Sequence, residues 1–304
     1  MTAANRSVLP PLHLLLALAV MAVWGTNFVV IKLALAHLPP LTLAALRFAF
    51  AFLPLALFVP RPAVPWRNLA TYGVLIGAGQ FGLLFTAMRA DITPGLASLV
   101  VQTQAFFTIA LSMRLTGERV APFQIAALVL AAGGLGIIAL HTDGSATPLG
   151  LALVLGAALC WALGNMTSRA AGPVNMLAYV VWSSVFAVPP LVALALLTEG
   201  WTAISTGIAN ADGATWAAVA WQAVGNTMFG YGAWGWLLGR YPAASVAPLS
   251  LLVPVFGLGA SALWMGEALP GWKLTAFALV MAGLALGILW PRLAARFLAG
   301  SKPA

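Results

Sequence analysis

The side chains best suited to bind a solute in this sequence are uncharged amides placed inside long apolar runs. Gln80, Gln102 and Asn226 each fall near the middle of such a run, and Asn27 and Asn165 lie within two others. An amide in hydrocarbon that has no hydrogen-bond partner costs on the order of several kcal/mol. Each amide therefore requires a neighbouring helix, a water-filled cavity or a bound solute.

Two interpretations stay open for each amide taken alone. Hydrogen bonds between membrane helices contribute only about 0.6 kcal/mol on average, so Asn165 can serve as an interhelical contact as readily as a solute ligand. Several amides at one depth favour a lined cavity. Trp24 and Trp161 also fall near the middle of apolar runs, away from the interface where tryptophan is usually enriched. These rings either fill space between helices or stack on a solute.

Arg47 is a charged side chain inside an apolar run, about 9 Å from the start of that run. A charge at the bilayer centre costs at least about 2.5 kcal/mol, and less toward the ends. The side chain either snorkels to the outer headgroups or faces the interior and holds an anionic group. All six acidic residues fall in loops or at helix ends, so no carboxylate is predicted near the midplane to bind a proton or a lipophilic cation. The pattern favours a small polar or zwitterionic solute.

The composition requires that long helices position these side chains. Of the 304 residues, 62% are hydrophobic and only 7% are charged, whereas soluble domains carry about 25% charged residues. Apolar runs long enough to cross a bilayer fill nearly the whole chain. The sequence therefore predicts an all-α polytopic membrane protein whose main partner is the lipid bilayer. The net charge of +8 reflects the loops that hold the basic residues, and it does not indicate a nucleic-acid partner.

Proline, glycine and charge clusters divide the chain into ten predicted spans. If the N-terminus is cytoplasmic, ten of the 14 Lys and Arg residues fall on the inner side, Lys32, Arg89 and Lys273 fall outside, and Arg47 lies within a span. This asymmetry predicts that both termini are cytoplasmic. The longest loops, "HTDGSATP" and "TEGWTAISTGIANADG", contain no Lys or Arg and are predicted to be outside. The spans are predicted near 12–36, 41–59, 68–88, 94–115, 121–140, 149–170, 175–198, 214–238, 243–265 and 272–290.

Weak internal similarity predicts that the spans form two related halves. A shift of 149 residues aligns Glu118 with Glu267, and a shift of 137 residues aligns Trp24 with Trp161. Both glutamates are predicted to be loop caps or ion-pair partners. Each half contains five spans, an odd number, so equivalent helices run in opposite directions, as in the inverted repeats of secondary transporters. The predicted repeats are residues 12–140 and 149–290.

Several quoted segments resemble the EamA family of the drug/metabolite transporter superfamily over nearly the whole chain. They include "WGTNFVVIKLAL", "LPPLTLAALRF", "GLASLVVQTQAFFTIAL" and "LGRYPAASVAPLSLLVPVFGLGASAL". The resemblance implies ten helices in two inverted five-helix repeats, a bacterial inner-membrane location and efflux of small amino-acid metabolites such as O-acetylserine and cysteine. It also implies a central cavity that here draws on Asn27, Gln80, Gln102, Trp161, Tyr231 and Trp234.

The predicted activity is therefore export by alternating access, without a cofactor. Other small solutes, namely aromatic amino acids, nucleosides or drugs, are the alternative on the same fold. A membrane enzyme is disfavoured because the sequence has no metal-ligand spacing and no G-x-S-x-G motif. A monomer and a homodimer are both compatible with the sequence. The full set of predicted substrate-binding residues is Asn27, Arg47, Gln80, Gln102, Trp161, Asn165, Tyr231 and Trp234.

Overall fold

A computed structural model describes residues 9–116, 121–141, 144–241 and 243–300. Within these ranges the chain is predominantly helical, and the only β-type pairing is an isolated bridge between Ile92 and Ala146. Nine of the described helices are long and apolar enough to cross a membrane. Glu118, which the sequence aligns with Glu267, lies outside the described residues.

The first half contains five consecutive spans with short connections. Four of them begin at a proline, because the missing N–H of proline is one that has no intrahelical partner at a helix start. The spans are Pro11–Ala34 (span 1), Pro40–Phe52 with a 3₁₀ turn at Leu55–Leu57 (span 2), Trp66–Ala90 (span 3), Pro94–Val100 with Val101–Thr103 and Gln104–Thr116 (span 4), and Pro122–Leu140 (span 5).

The second half repeats this order of five spans. Span 8 is a continuous helical stretch through residues 213–240, and it is less apolar than the nine candidates because its middle carries Gln222, Asn226 and Thr227. The spans are Pro148–Ala170 (span 6), Met176–Thr198 (span 7), Gly213–Trp221 with Gln222–Tyr231 and Gly232–Arg240 (span 8), Ala243–Val246 with Ala247–Leu251 and Leu252–Met265 (span 9), and Gly271–Gly300 (span 10).

The predicted loop between spans 7 and 8 instead contains a short helix, Trp201–Asn210. Gly200 redirects the chain with a φ of 80°, a left-handed conformation that glycine adopts without a Cβ clash. The short helix buries Ile204 and Gly207. At Gly207 a Cβ would lie 2.7 Å from Pro39, so the helix packs closely on the connection before span 2.

Irregular helical turns occur at equivalent places in the two halves. Spans 3 and 8 contain π-helical segments at Leu75–Gly82 and Gln222–Tyr231. Spans 4 and 9 contain 3₁₀ segments at Val101–Thr103 and Ala247–Leu251. The break in span 9 agrees with the presence of Pro248, which cannot donate a backbone hydrogen bond. Such turns often mark functional sites inside membrane helices.

Two acidic residues near the connection between spans 7 and 8 cap helices. Glu199, at the end of span 7, accepts hydrogen bonds from the N–H of Leu41 at 2.6 Å and from the hydroxyl of Thr42 at 2.7 Å. Asp212 caps span 8 by accepting from the hydroxyl and the N–H of Thr215. These two donors hold the pKa of Asp212 below its usual range. Both carboxylates lie where helix N-terminal N–H groups favour negative charge.

Glu267 forms a larger polar cluster at the C-terminal end of span 9. Its carboxylate accepts from the Nζ of Lys273 at 3.0 Å, from the hydroxyls of Thr93 and Ser261 at 2.6 and 2.5 Å, and from the N–H of Gly95 at 3.1 Å. The cluster therefore joins spans 9 and 10 to the start of span 4. Of the two predicted roles, loop cap or ion-pair partner, the structure shows the ion pair with Lys273, and Glu267 also caps the start of span 4.

Candidate functional site

A cavity of about 280 Å³ lies between the two halves. Its walls come mainly from spans 1, 3 and 4 of the first half and spans 6, 8 and 9 of the second. None of the described side chains that line it is charged. Seven of the eight predicted residues contribute to the wall, namely Asn27, Gln80, Gln102, Trp161, Asn165, Tyr231 and Trp234, whereas Arg47 does not.

Three amides in the cavity have no hydrogen-bond partner within the described part of the chain. Gln80, Gln102 and Asn226 line the cavity from spans 3, 4 and 8, and each is at most 8% exposed. Each lies within one of the irregular segments of its span. Because their amide groups are not used by other helices, they remain available to bond a solute or water.

Two other amides are used for contacts between helices. Asn27 and the fully buried Gln222 exchange two hydrogen bonds, at 3.2 and 2.8 Å. Asn165 donates to the side-chain oxygen of Gln104 at 2.9 Å and to the hydroxyl of Thr108 at 3.3 Å. These pairs connect span 1 to span 8 and span 4 to span 6. For Asn27 and Asn165, therefore, the contact that the structure provides is interhelical, although both residues also line the cavity.

Gln222 is a polar residue that the sequence analysis missed. It lies four residues before Asn226 on span 8, so the two share a helix face. This spacing is the signal that identifies Gln222. Tyr72 was missed as well: it lines the cavity from span 3, and its ring packs edge-on against Tyr179 with 4.7 Å between centroids.

Aromatic rings form one side of the cavity. Trp24 donates its indole N–H to the backbone carbonyl of Asn226 at 3.2 Å, which fixes the ring between spans 1 and 8. Its ring lies 5.5 Å from that of Tyr231 and 5.6 Å from that of Trp234, measured between centroids. Trp161 lines the cavity from span 6. The wall can therefore pack against the apolar part of a solute while the free amides hold its polar groups.

Arg47 faces the protein interior and does not snorkel to the membrane surface. The side chain is 1% exposed, and its guanidinium carbon lies 3.6 Å from the centroid of the Phe81 ring. Its Nε and Nη1 atoms are buried without a hydrogen-bond partner. Phe81 itself lines the cavity. Arg47 therefore lies directly behind a residue of the cavity wall.

Comparison with known proteins identifies the architecture. The model of the EamA-like transporter family matches residues 11–140 and 148–289. The chain belongs to this family. It is 44% identical over 280 residues to a protein of Salmonella typhimurium described as a probable amino-acid metabolite efflux pump. The aligned region covers 90% of this chain and 93% of that protein. It is 41% identical over 282 residues to a protein of the same description from Escherichia coli K12, with the same coverage.

A solved crystal structure supports the same fold. It matches with a TM-score of 0.61 at 20% identity and covers 92% of this chain and 97% of the other. Together with the family match, this similarity confirms the predicted fold class, a multi-pass helical transporter built from two repeats. The EamA-like family membership predicted from the sequence is confirmed as well.

Proposed function

We propose that this EamA-like transporter exports small amino-acid metabolites of the O-acetylserine and cysteine type across the bacterial inner membrane. The observation that carries the proposal is the group of three unpaired amides, Gln80, Gln102 and Asn226, in one uncharged cavity. Two relatives that cover nine-tenths of the chain are described as probable amino-acid metabolite efflux pumps. The cavity volume of about 280 Å³ is just below the roughly 300–1,000 Å³ found for ligand sites, which suits a small solute.

Within this proposal the cavity residues have different roles. The three free amides bond the polar groups of the solute, and Trp161, Tyr231 and Trp234 pack against its apolar part. Asn27 and Asn165 fix the wall through their interhelical pairs. Residues 12–140 and 149–290 are the two repeats that move against each other around the cavity, with both termini on the cytoplasmic side.

Uptake into proteoliposomes tests the proposal. Labelled cysteine and O-acetylserine should accumulate above the level in protein-free liposomes. Aromatic amino acids, nucleosides and drugs should compete poorly. Comparing uptake with and without a pH gradient distinguishes proton coupling from facilitated diffusion. Absence of amino-acid uptake by the wild-type protein would refute the function.

Asn226→Leu tests the cavity itself, with Asn210→Leu as the matched control. The Asn226 side chain bonds no described residue, so its loss leaves no protein group unpaired, and Asn210 is an exposed amide on the short outer helix. Loss of a hydrogen bond that contributes about 1.4 kcal/mol corresponds to a tenfold change in the dissociation constant of the solute. We expect about tenfold weaker uptake for Asn226→Leu at an unchanged amount of folded protein, and wild-type uptake for Asn210→Leu. Wild-type uptake by both variants would place the solute elsewhere.

A further inference from the structure

Arg47 is a buried cation without a counter-ion in the described part of the chain. Its Nε and Nη1 atoms have no hydrogen-bond partner, and neither of the ion pairs found there involves it. Burying an unpaired charge is strongly unfavourable, and apolar residues of similar volume usually replace such a group without loss of stability. Folding alone therefore gives no reason for an arginine at this position.

The Phe81 ring covers Arg47 on the side of the cavity, and the cavity-lining residues Tyr72 and Tyr231 also interact electrostatically with its guanidinium. The guanidinium lies over the face of Phe81 and, at 5.3 Å from the centroid, near the ring of Phe48. These cation–π contacts offset part of the desolvation of the charge. Phe81 and Tyr72 line the cavity. Because Phe81 lies over the guanidinium at 3.6 Å, displacement of its ring is a change that would open the guanidinium to a solute.

Phe81 belongs to a segment in which such a displacement is feasible. It lies in the π-helical stretch Leu75–Gly82, next to the free amide of Gln80. A π-helical turn contains one more residue than an α-helical turn. When the position of this extra residue shifts along the helix, the side chains that it passes rotate by about 100° around the helix axis. The same movement shifts the Gln80 amide. The position of the Phe81 ring is therefore coupled to that of a residue proposed to bind the solute.

We propose that Arg47 is a concealed carboxylate-binding residue of the transport site, covered by Phe81 and exposed when that ring moves aside. The inference rests on the proposed function and narrows it to solutes that carry a free carboxylate. The planar guanidinium pairs with a carboxylate through two parallel hydrogen bonds. The amide oxygens of Gln80, Gln102 and Asn226 accept bonds from an ammonium group. The site then recognises both ends of a zwitterionic amino acid without any acidic side chain.

Competition between an acid and its ester tests this role. Uptake of labelled cysteine into proteoliposomes is measured against unlabelled cysteine and cysteine methyl ester, which lacks the free carboxylate. We expect the wild-type protein to favour the acid by at least tenfold, since a charge-assisted pair is lost with the ester. Arg47→Met should reduce this preference to less than threefold. Inorganic phosphate should not compete, and effective competition by phosphate would indicate a general anion site instead.

Further variants separate binding from folding. Arg47→Met should unfold at the same temperature as the wild-type protein or a higher one, whereas a structural arginine would give a lower temperature. Arg47→Lys keeps the charge but loses the bidentate geometry of the guanidinium. Its preference for the acid over the ester should therefore lie between those of the wild-type protein and Arg47→Met. Phe81→Leu removes the covering ring and should strengthen competition by the acid but not by the ester.

The outcomes separate this inference from the function on which it rests. If wild-type protein takes up no amino acid, the proposed function fails, and the role of Arg47 fails with it. If wild-type protein takes up cysteine but Arg47→Met and Arg47→Lys keep the wild-type preference for the acid, only the role of Arg47 is refuted. A variant that does not reach the membrane leaves the decision to Arg47→Lys and Phe81→Leu.

Discussion

Removing the negative charge of Glu267 tests how strongly the two halves are joined where span 9 meets the start of span 4. Glu267 and Lys273 are 4% and 2% exposed and lie 3.0 Å apart. Glu267→Gln keeps the size of the side chain but leaves the Lys273 ammonium buried without its counter-ion. Breaking a buried ion pair on one side costs about 3–5 kcal/mol. Because Glu267 also accepts from Thr93, Gly95 and Ser261, we expect a value at the upper end of that range.

A double-mutant cycle separates the ion pair from the rest of the cluster. Lys273→Met alone should also destabilise the protein, because it leaves a buried carboxylate. The Glu267→Gln/Lys273→Met protein carries neither charge, so it should lose less stability than the sum of the two single variants by about 2–3 kcal/mol. Arg89→Gln is the control at the same end of the molecule, since Arg89 is exposed and lies in no ion pair of the described chain.

The free energy of unfolding of each variant is measured in detergent by reversible chemical denaturation. Arg89→Gln should stay within about 0.5 kcal/mol of the wild-type protein, as is usual for surface substitutions. The reasoning is refuted if Glu267→Gln costs less than about 1 kcal/mol, or if the two single effects simply add in the double variant.

Two further substitutions test the helix contacts around the cavity. Asn27→Leu leaves the amide of Gln222 buried without a partner and should lower the free energy of unfolding by about 1–3 kcal/mol; full stability in a denaturation experiment would show that the pair contributes nothing. Gly257→Val places a side chain where even a Cβ overlaps Ser98 and should sharply reduce folded protein in membranes, whereas Gly259→Ala, with nothing within 4 Å, should leave that amount unchanged.

The sequence predicts the fold well because its signals are local. Apolar runs and initial prolines each depend on a few neighbouring positions. The pairing of Asn27 with Gln222 depends instead on two helices that are 195 residues apart in the chain, so no local pattern separates these amides from the unpaired ones. The direction of Arg47 likewise depends on where the Phe81 ring lies, since both interpretations of this arginine place it at the same depth.

Charge-assisted bonds join the two halves at the end of the bundle where spans 2 and 4 begin. There Glu267 and Glu199 of the second half accept bonds from the starts of spans 4 and 2 of the first. Two of the contacts between the halves are neutral, namely the amide pair of Asn27 and Gln222 beside the cavity and the bond from Asn68 to the carbonyl of Thr167. Charge-assisted hydrogen bonds are about twice as strong as neutral ones.

An opening at the Glu199 and Glu267 end of the bundle therefore requires that these charge-assisted bonds be broken. A solute shifts the equilibrium between the closed and the open state only through contacts that differ between these two states. A pair between Arg47 and a carboxylate has this property, because the guanidinium is covered by Phe81 here and becomes available only after a rearrangement of span 3. In this arrangement the carboxylate of the solute contributes free energy toward separating Glu199 and Glu267 from the helix starts that they cap.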